Sequence, residues 1–528
     1  MNTLVKKLIA ILVALTMALA LAACGSKNTA SEAESVSTSQ TGATADSAPA
    51  ATNTDMFTDR DLDPSYDDAT TIDLSKENGS KVTITEAGTY VLTGSYDGQI
   101  VVKVGDEDKV QLVLKDATIS NNDSAAIYVQ SGDKVFVTLA DGTTNKVSSS
   151  ATFAEADSET GDNVDGAIFS KATLVFNGSG SLSVTSTNGH GIVSKDDVKV
   201  TGGTITVDAK EKGIAGKDSV RIHDGAITIT AGDDGLHTSN DEEEGKGFVY
   251  IEGGTVTISS GDDGIHAETD VTITGGKVDI QKSYEGIEGQ DITVSGGTID
   301  IVASDDGFNA SEGGSGNDNT NDFGGFGGGG GFEANQDASL TISGGTIHVN
   351  AQGDGLDSNG SMLISGGTTY VSGPTNGGNG AIDCDNSQIT GGTVIAAGSA
   401  GMAVNFGSSS TQCSMLVQFD GTVSGGTEVV LKDSDGNTIL SFTPEKDYQT
   451  VVLSSADIKT GETYTVTAGS RSQTVEMTDT IYGSGGMMGG GMGGGQMGGH
   501  GGMGGFGGQR GAIQEDSVVS DAQSSATV

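Results

Sequence analysis

The sequence predicts an all-β chain: a right-handed parallel β-helix of about 22 residues per coil, followed by a small antiparallel β module. Three observations predict it. Glycine supplies 85 of 528 residues, tryptophan is absent, and no apolar pattern of helical period competes. A glycine-marked unit repeats through the middle of the chain, and a fixed period of this size is the signature of a solenoid. Within each unit β-branched residues alternate with polar ones, the period-2 pattern of a strand with one buried face.

Paired glycines set the repeat. Their second members fall at Gly203, Gly225 (preceded by Asp224), Gly254, Gly276, Gly297, Gly345, Gly367 and Gly392, in steps of 22, 29, 22, 21, 48, 22 and 25. The two long steps carry insertions, "DEEEGKG" at 241–247 and a Gly-rich run at 311–337; without those 7 and 27 residues they shorten to 22 and 21. Val207, Ile229, Ile258, Ile280, Ile301, Val349 and Val371 each stand four residues beyond the second glycine. Coils about 4.8 Å apart would stack these side chains into interior ladders. The glycines suit corners, where a positive φ or a close backbone approach is required. A leucine-rich horseshoe of similar period would need an LxxLxL consensus, which is missing.

The ends read differently. Residues 1–23, with Lys6 and Lys7, an apolar run and "LAAC", read as a secretory leader whose ending resembles a bacterial lipobox, so Cys24 is the expected lipidated residue. Residues 24–54 are expected to be a disordered linker. The β-helix is assigned to 55–412, beginning near residue 70, with irregular early coils at "AAIYV" (125–129) and "GAIFS" (166–170) and the segment from "RDLDPSYDD" onward as an N-terminal cap. After Cys413 the period vanishes, and 413–480 reads as the antiparallel module. Residues 481–528 form a Gly/Met tail, read as low-complexity sequence, with five methionines and His500 as an alternative Cu(I) site. Cys384 and Cys413 either pair or remain free thiols.

Charge narrows the function. With 71 acidic against 26 basic residues, a formal net charge of −45, the chain is unsuited to nucleic acid and favours cations. The acids are ordered. Taking Gly235, Gly264, Gly286, Gly307 and Gly355 as equivalent, the preceding position holds Asp234, Asp263, Glu285, Asp306 and Asp354. One residue earlier stand Asp233, Asp262 and Asp305; two residues after the glycine come His237, His266, Glu288, Asn309 and Asp357, with Asp383 continuing that row. Stacked at coil spacing, two carboxylates repel by about 3 to 4 kcal/mol at an effective dielectric of about 20. Bound Ca²⁺ would relieve this, because it takes several hard oxygen ligands in a flexible shell; solvated Asp-Gly turns are the plainer alternative. Zinc fits less well, since His237 and His266 lack a Cys partner or HxxxH spacing. From Ser283 through Leu431 there is no Lys or Arg, while 17 Asp and Glu occur.

Several segments carry a family resemblance: "FTDRDLD", "GTYVLTGSYDGQIVV", "VQLVLKDATISNNDSAAIYV", "VFVTLADGTTNKV" and the serial "SGGTI…DDGI" coils. With these the chain resembles the carbohydrate-binding, pectate-lyase-like β-helix lipoproteins of clostridial and related bacteria. The resemblance implies calcium binding and adhesion to an acidic plant polysaccharide such as polygalacturonate or pectin, with cellulose as an alternative, at the cell surface. The expected function is therefore non-catalytic binding, with the membrane held through Cys24. A calcium-dependent polysaccharide lyase is the alternative, with Lys195, Lys210, Lys212, Lys217, Arg221 and Lys282 as candidate bases, residues that otherwise serve to balance neighbouring Asp. A self-associating surface protein is the third reading. His190, His223 and His348 read as ordinary strand or turn residues, and Tyr284 and Tyr370 as ordinary exposed strand residues.

Overall fold

The computed structural model describes residues 56–153, 157, 160–311 and 337–483. The leader, Cys24, the linker, most of the Gly-rich insertion and the Gly/Met tail lie outside the described residues.

The chain is all-β with mainly parallel pairing, because each strand bonds to the strand one repeat later in sequence. Three ladders result. The first stacks Thr173–Gly178, Asp197–Val200, Ser219–Ile222, Phe248–Ile251 and onward to Asn386–Ile389. The second stacks Ser181–Ser186, Thr204–Ala209, Ala226–Ala231, Thr255–Ser259 and onward to Thr393–Gly398. The third is a 12-stranded sheet running from Lys81–Ile84 to Ile382–Asp383.

The glycine pairs separate the first ladder from the second. In an early coil one long strand, Lys109–Asn121, serves both ladders, pairing with Lys134–Leu139 and then with Thr144–Ser149. From Gly203 onward the second glycine of each pair has φ between +74° and +119°, a conformation that L side chains rarely adopt, so the chain turns a corner there.

The expected interior registers are found. Val207, Ile229, Ile258, Ile280, Ile301, Val349 and Val371 are direct partners along the second ladder, each no more than 3% exposed. Ile214, Leu236, Ile265, Ile287, Phe308, Leu356 and Ile382 do the same along the third. Val200, Ile222, Ile251, Ile273, Val294, Ile342, Ile364 and Ile389 complete the first. Each such side chain contributes about 1.5 to 3 kcal/mol by leaving water, so the apolar interior is what holds successive coils in register.

The C-terminal strands pair antiparallel except for Ile481–Tyr482, which joins Ser414–Val423 in parallel and carries the module two residues past the expected boundary at 480. Tyr448–Ser454 pairs antiparallel with Thr393–Gly398, covering what would be an open ladder edge, and a separate four-stranded sheet contains Val429–Lys432 and Thr463–Ala468. Cys384 and Cys413 are both free thiols. Near the N-terminus the helical turn Asp59–Leu62 lies along the first ladder. Its fully buried Asp61 is 2.7 Å from Lys134 and 3.4 Å from Lys199, and Arg221 donates to the Met56 carbonyl.

Candidate functional site

Where each coil passes from the second ladder to the third, the turn carries the acidic residues. The third-ladder register makes Ala215, His237, His266, Glu288, Asn309, Asp357 and Asp383 one outward row. The glycines beside it are equivalent as expected, for a physical reason. A Cβ on Gly235 would meet the Gly264 carbonyl oxygen at 2.6 Å and Ile258 Cγ2 at 2.5 Å, and Gly264, Gly286, Gly307 and Gly355 face similar obstacles from the next coil. The second acidic position is tied to the neighbouring coil by backbone bonds: Asp234 Oδ1 accepts from the Asp263 N–H at 3.2 Å, Asp306 Oδ1 from the Asp354 N–H, and Asp354 Oδ1 from the Gly380 N–H. These carboxylates therefore have a structural role that side-chain spacing alone did not reveal.

The edge divides into two electrostatic halves. In the first, internal cations neutralise part of the acidic charge, although burial and neighbouring carboxylates still raise Asp262 and push Asp263 up to about 7. Lys212 occupies the same position in its coil that Asp234 occupies in the next, and its ammonium lies 2.5 Å from Asp234 and 3.4 Å from Asp233. Burial opposes ionisation of both partners, yet hydrogen bonding from His237 and the charge of Lys212 hold Asp234 well below the usual carboxylate range, and the Asp234 charge raises Lys212. His237 and His266 stack with centroids 4.9 Å apart. Burial pushes His237 down; His266, despite burial, is raised to about 10 by Asp263 at 3.3 Å and Glu288 at 2.6 Å. Two sets of ligand atoms lie within 4.8 Å of one another, Asp263–His266–Glu288 and Asp233–Asp234–Asp262, and both sit in this half, where a protonated His266 or Lys212 already supplies positive charge.

The second half has no such partners. Among the described residues no Lys or Arg pairs with Glu285, Asp306, Asp354, Asp357 or Asp383. Burial, aided by mutual repulsion, pushes Glu285 up to about 8, Asp306 to about 6, Asp354 to about 7 and Asp357 to about 8. Burial likewise raises Asp383. Asn309 donates to Glu285 Oε2 at 2.9 Å, while its own Oδ1 is buried without a hydrogen-bond partner. The donor set is thus all oxygen and carries one orphaned buried carbonyl, a composition that fits a hard divalent cation.

All twelve expected site residues lie on this edge: Asp233, Asp234, Asp262 and Asp263 in or beside the neutralised half, and Glu285, Glu288, Asp305, Asp306, Asn309, Asp354, Asp357 and Asp383 from the next coil onward. Sequence reasoning missed the place of Lys212 in the acidic column. The signal was available, since "EKG" at 211–213 aligns with "DDG" at 233–235. Of the other candidate bases, Arg221 is bonded to Asp197 and Lys195 lies over the Phe169 ring. His190 sits 3.2 Å from Glu211, and His348 stacks on Tyr370.

Comparison with known proteins locates the chain. A family model described as "Carbohydrate-binding domain-containing protein" matches residues 78–320. A protein of the same description from Acetivibrio thermocellus is 36% identical over 130 residues, which cover 24% of this chain and 45% of that protein, so the match spans less than half the relative's length. A solved structure of the polysaccharide lyase-like protein from C. thermocellum, a gadolinium derivative, is 36% identical, covers 43% of this chain and 90% of its own, and superposes with a TM-score of 0.37. Over residues 78–320 the chain is thus similar to the carbohydrate-binding domain-containing protein family.

Proposed function

We propose that the chain is a non-catalytic, lipid-anchored cell-surface protein, wound as a right-handed parallel β-helix, that binds acidic polysaccharide through Ca²⁺ held along its acidic edge. The observation that carries this reading is the unbalanced half of the edge, where Glu285, Asp306, Asp354 and Asp357 are half-buried side by side with no Lys or Arg to neutralise them. These carboxylates, with Asn309 Oδ1 and Asp383, stand on successive coils and would hold Ca²⁺ ions in series along the edge. Bound Ca²⁺ would supply positive charge and open coordination positions for uronate carboxylates. Repetition at coil spacing suits a linear polymer with repeated charge. The coil-on-coil registers along three ladders support the β-helix.

The absence of catalysis rests on the bases. A lyase must abstract a proton with a neutral amine or comparable base near operating pH, and Lys212, which stands in the acidic column itself, is held protonated by Asp234 and Asp233, while Lys282 belongs to the strand Lys277–Ser283 that precedes the acidic turn. Retention on polygalacturonate beads is expected in millimolar Ca²⁺ and is expected to fall at least about tenfold in chelator or in the double variant Asp354→Asn/Asp357→Asn. Retention that ignores chelation, or steady release of unsaturated uronides, overturns the proposal.

A further inference from the structure

One coil departs from the pattern of the acidic edge. Tyr284 occupies the first acidic position: its N–H donates to the Asp262 carbonyl, and its own carbonyl accepts from the Asp305 N–H, both at 2.8 Å, so it stands in column between Asp262 and Asp305. It is also one of the few large apolar side chains exposed among the described residues, at 47%. Just before it the second ladder is irregular. Strand Lys277–Ser283 pairs Ile280 with Ile301 and then Ser283 with Ala303, so two residues, Gln281 and Lys282, stand opposite Val302 alone. Such a bulge re-aims the side chains around it. Ser283 is 2% exposed and points inward, so Lys282 and Tyr284 on either side of it project outward.

The surroundings suit a ligand. Val302, on the next coil, is likewise 47% exposed and borders an adjoining cleft of about 110 Å³ that Asp300, Asn350 and His348 also line. Asp305 lies beside the Tyr284 hydroxyl, and its carboxylate raises that hydroxyl above its ordinary value, while much of the ring stays in water. Lys282 forms no ion pair among the described residues, in a chain of net charge −45. An exposed ring, a neighbouring apolar side chain, two flanking carboxylates that accept hydroxyl protons and a lysine that donates form a set matched to a hydroxyl-rich ring without charge. A carboxylated ring would meet Asp262 and Asp305 directly.

We infer that the bulged coil at 281–284 is a seat for one neutral hexopyranose unit of a glycan, with the sugar face on Tyr284 and its hydroxyls on Lys282, Asp262 and Asp305. This deepens the carbohydrate-binding reading but needs no metal ion. The test is calorimetry of the full chain in EDTA with a panel of neutral gluco-, manno- and galacto-hexaoses, alongside polygalacturonate retention in Ca²⁺. At least one neutral hexaose is expected to bind. Tyr284→Ala is expected to weaken that binding at least about tenfold, Tyr284→Phe to keep it within about threefold, and Lys282→Ala to weaken it severalfold, with the melting temperature and calcium-dependent retention unchanged. The inference is overturned if no neutral hexaose binds, or if Tyr284→Ala binds as well as the parent. Neutral-sugar binding without calcium-dependent retention would instead sink the polyuronate reading and leave this one standing.

Discussion

Lys212 shows how one side chain sets the character of its neighbourhood. It is the cation on which the charge of Asp234 depends, and Asp234 is 5% exposed at its side chain. Removing the ammonium leaves a buried carboxylate whose remaining hydrogen-bond donors are His237 and a backbone amide. Lys212→Met is therefore expected to destabilise the fold by about 2 to 3 kcal/mol, below the loss for a fully buried pair because Lys212 keeps 23% side-chain exposure. Adding Asp234→Asn should recover part of the loss, because the orphaned charge goes with it; urea unfolding of the two variants checks this. A double variant no more stable than Lys212→Met would mean that the carboxylate left behind carries no penalty of its own. At this scale the acids were readable from sequence because each sits at a fixed offset from a glycine. Their two unlike environments were not, because they depend on which residue the coil before supplies, 22 positions away.

At the scale of elements, the second ladder was the most legible, since its strands are long enough to alternate: Ala226–Ala231 buries Ile227, Ile229 and Ala231 in turn. The third ladder left a fainter trace. Its strands shrink to three residues, as in Ile287–Gly289, with a single large apolar side chain facing inward. No alternation can be counted over so short a run, although the register with Ile265 and Phe308 is continuous. The position of the helical turn at 59–62 was unreadable for another reason: its partners Lys134 and Lys199 are more than seventy residues away in sequence. Because one side chain carries the third-ladder contact in its coil, Ile287→Ala should cost about 2 to 5 kcal/mol in chemical denaturation. A loss below about 1 kcal/mol would mean that the coil can collapse around the vacancy, and that the stack matters less than its register implies.

The whole molecule carries charge that its interior half-buries, and that has a consequence for pH. Glu285, Asp306, Asp354 and Asp357 titrate between about 6 and 8 in the folded chain, against about 4 for ordinary carboxyls. Between those limits the native state holds protons that the unfolded chain has released, so stability falls as pH rises from about 4 through about 8. His266, raised to about 10, acts in the same direction above its ordinary value, because its stabilising charge is complete at low pH and lost as pH climbs through 10. Asp234 opposes them, as do other carboxyls held down by a partner such as Glu288, Asp61 and Asp218, their contributions being lost as pH falls below the ordinary carboxyl range. In chelator the melting temperature should therefore drop by at least about 5 °C between pH 5 and pH 8. Millimolar Ca²⁺ should restore most of that loss at pH 8 and do little at pH 5, where protons already occupy the same oxygens and compete for them. A melting temperature that holds level in chelator, or a calcium effect no larger at pH 8 than at pH 5, would mean that these carboxyls are relieved by solvent and that the edge has no need of an ion.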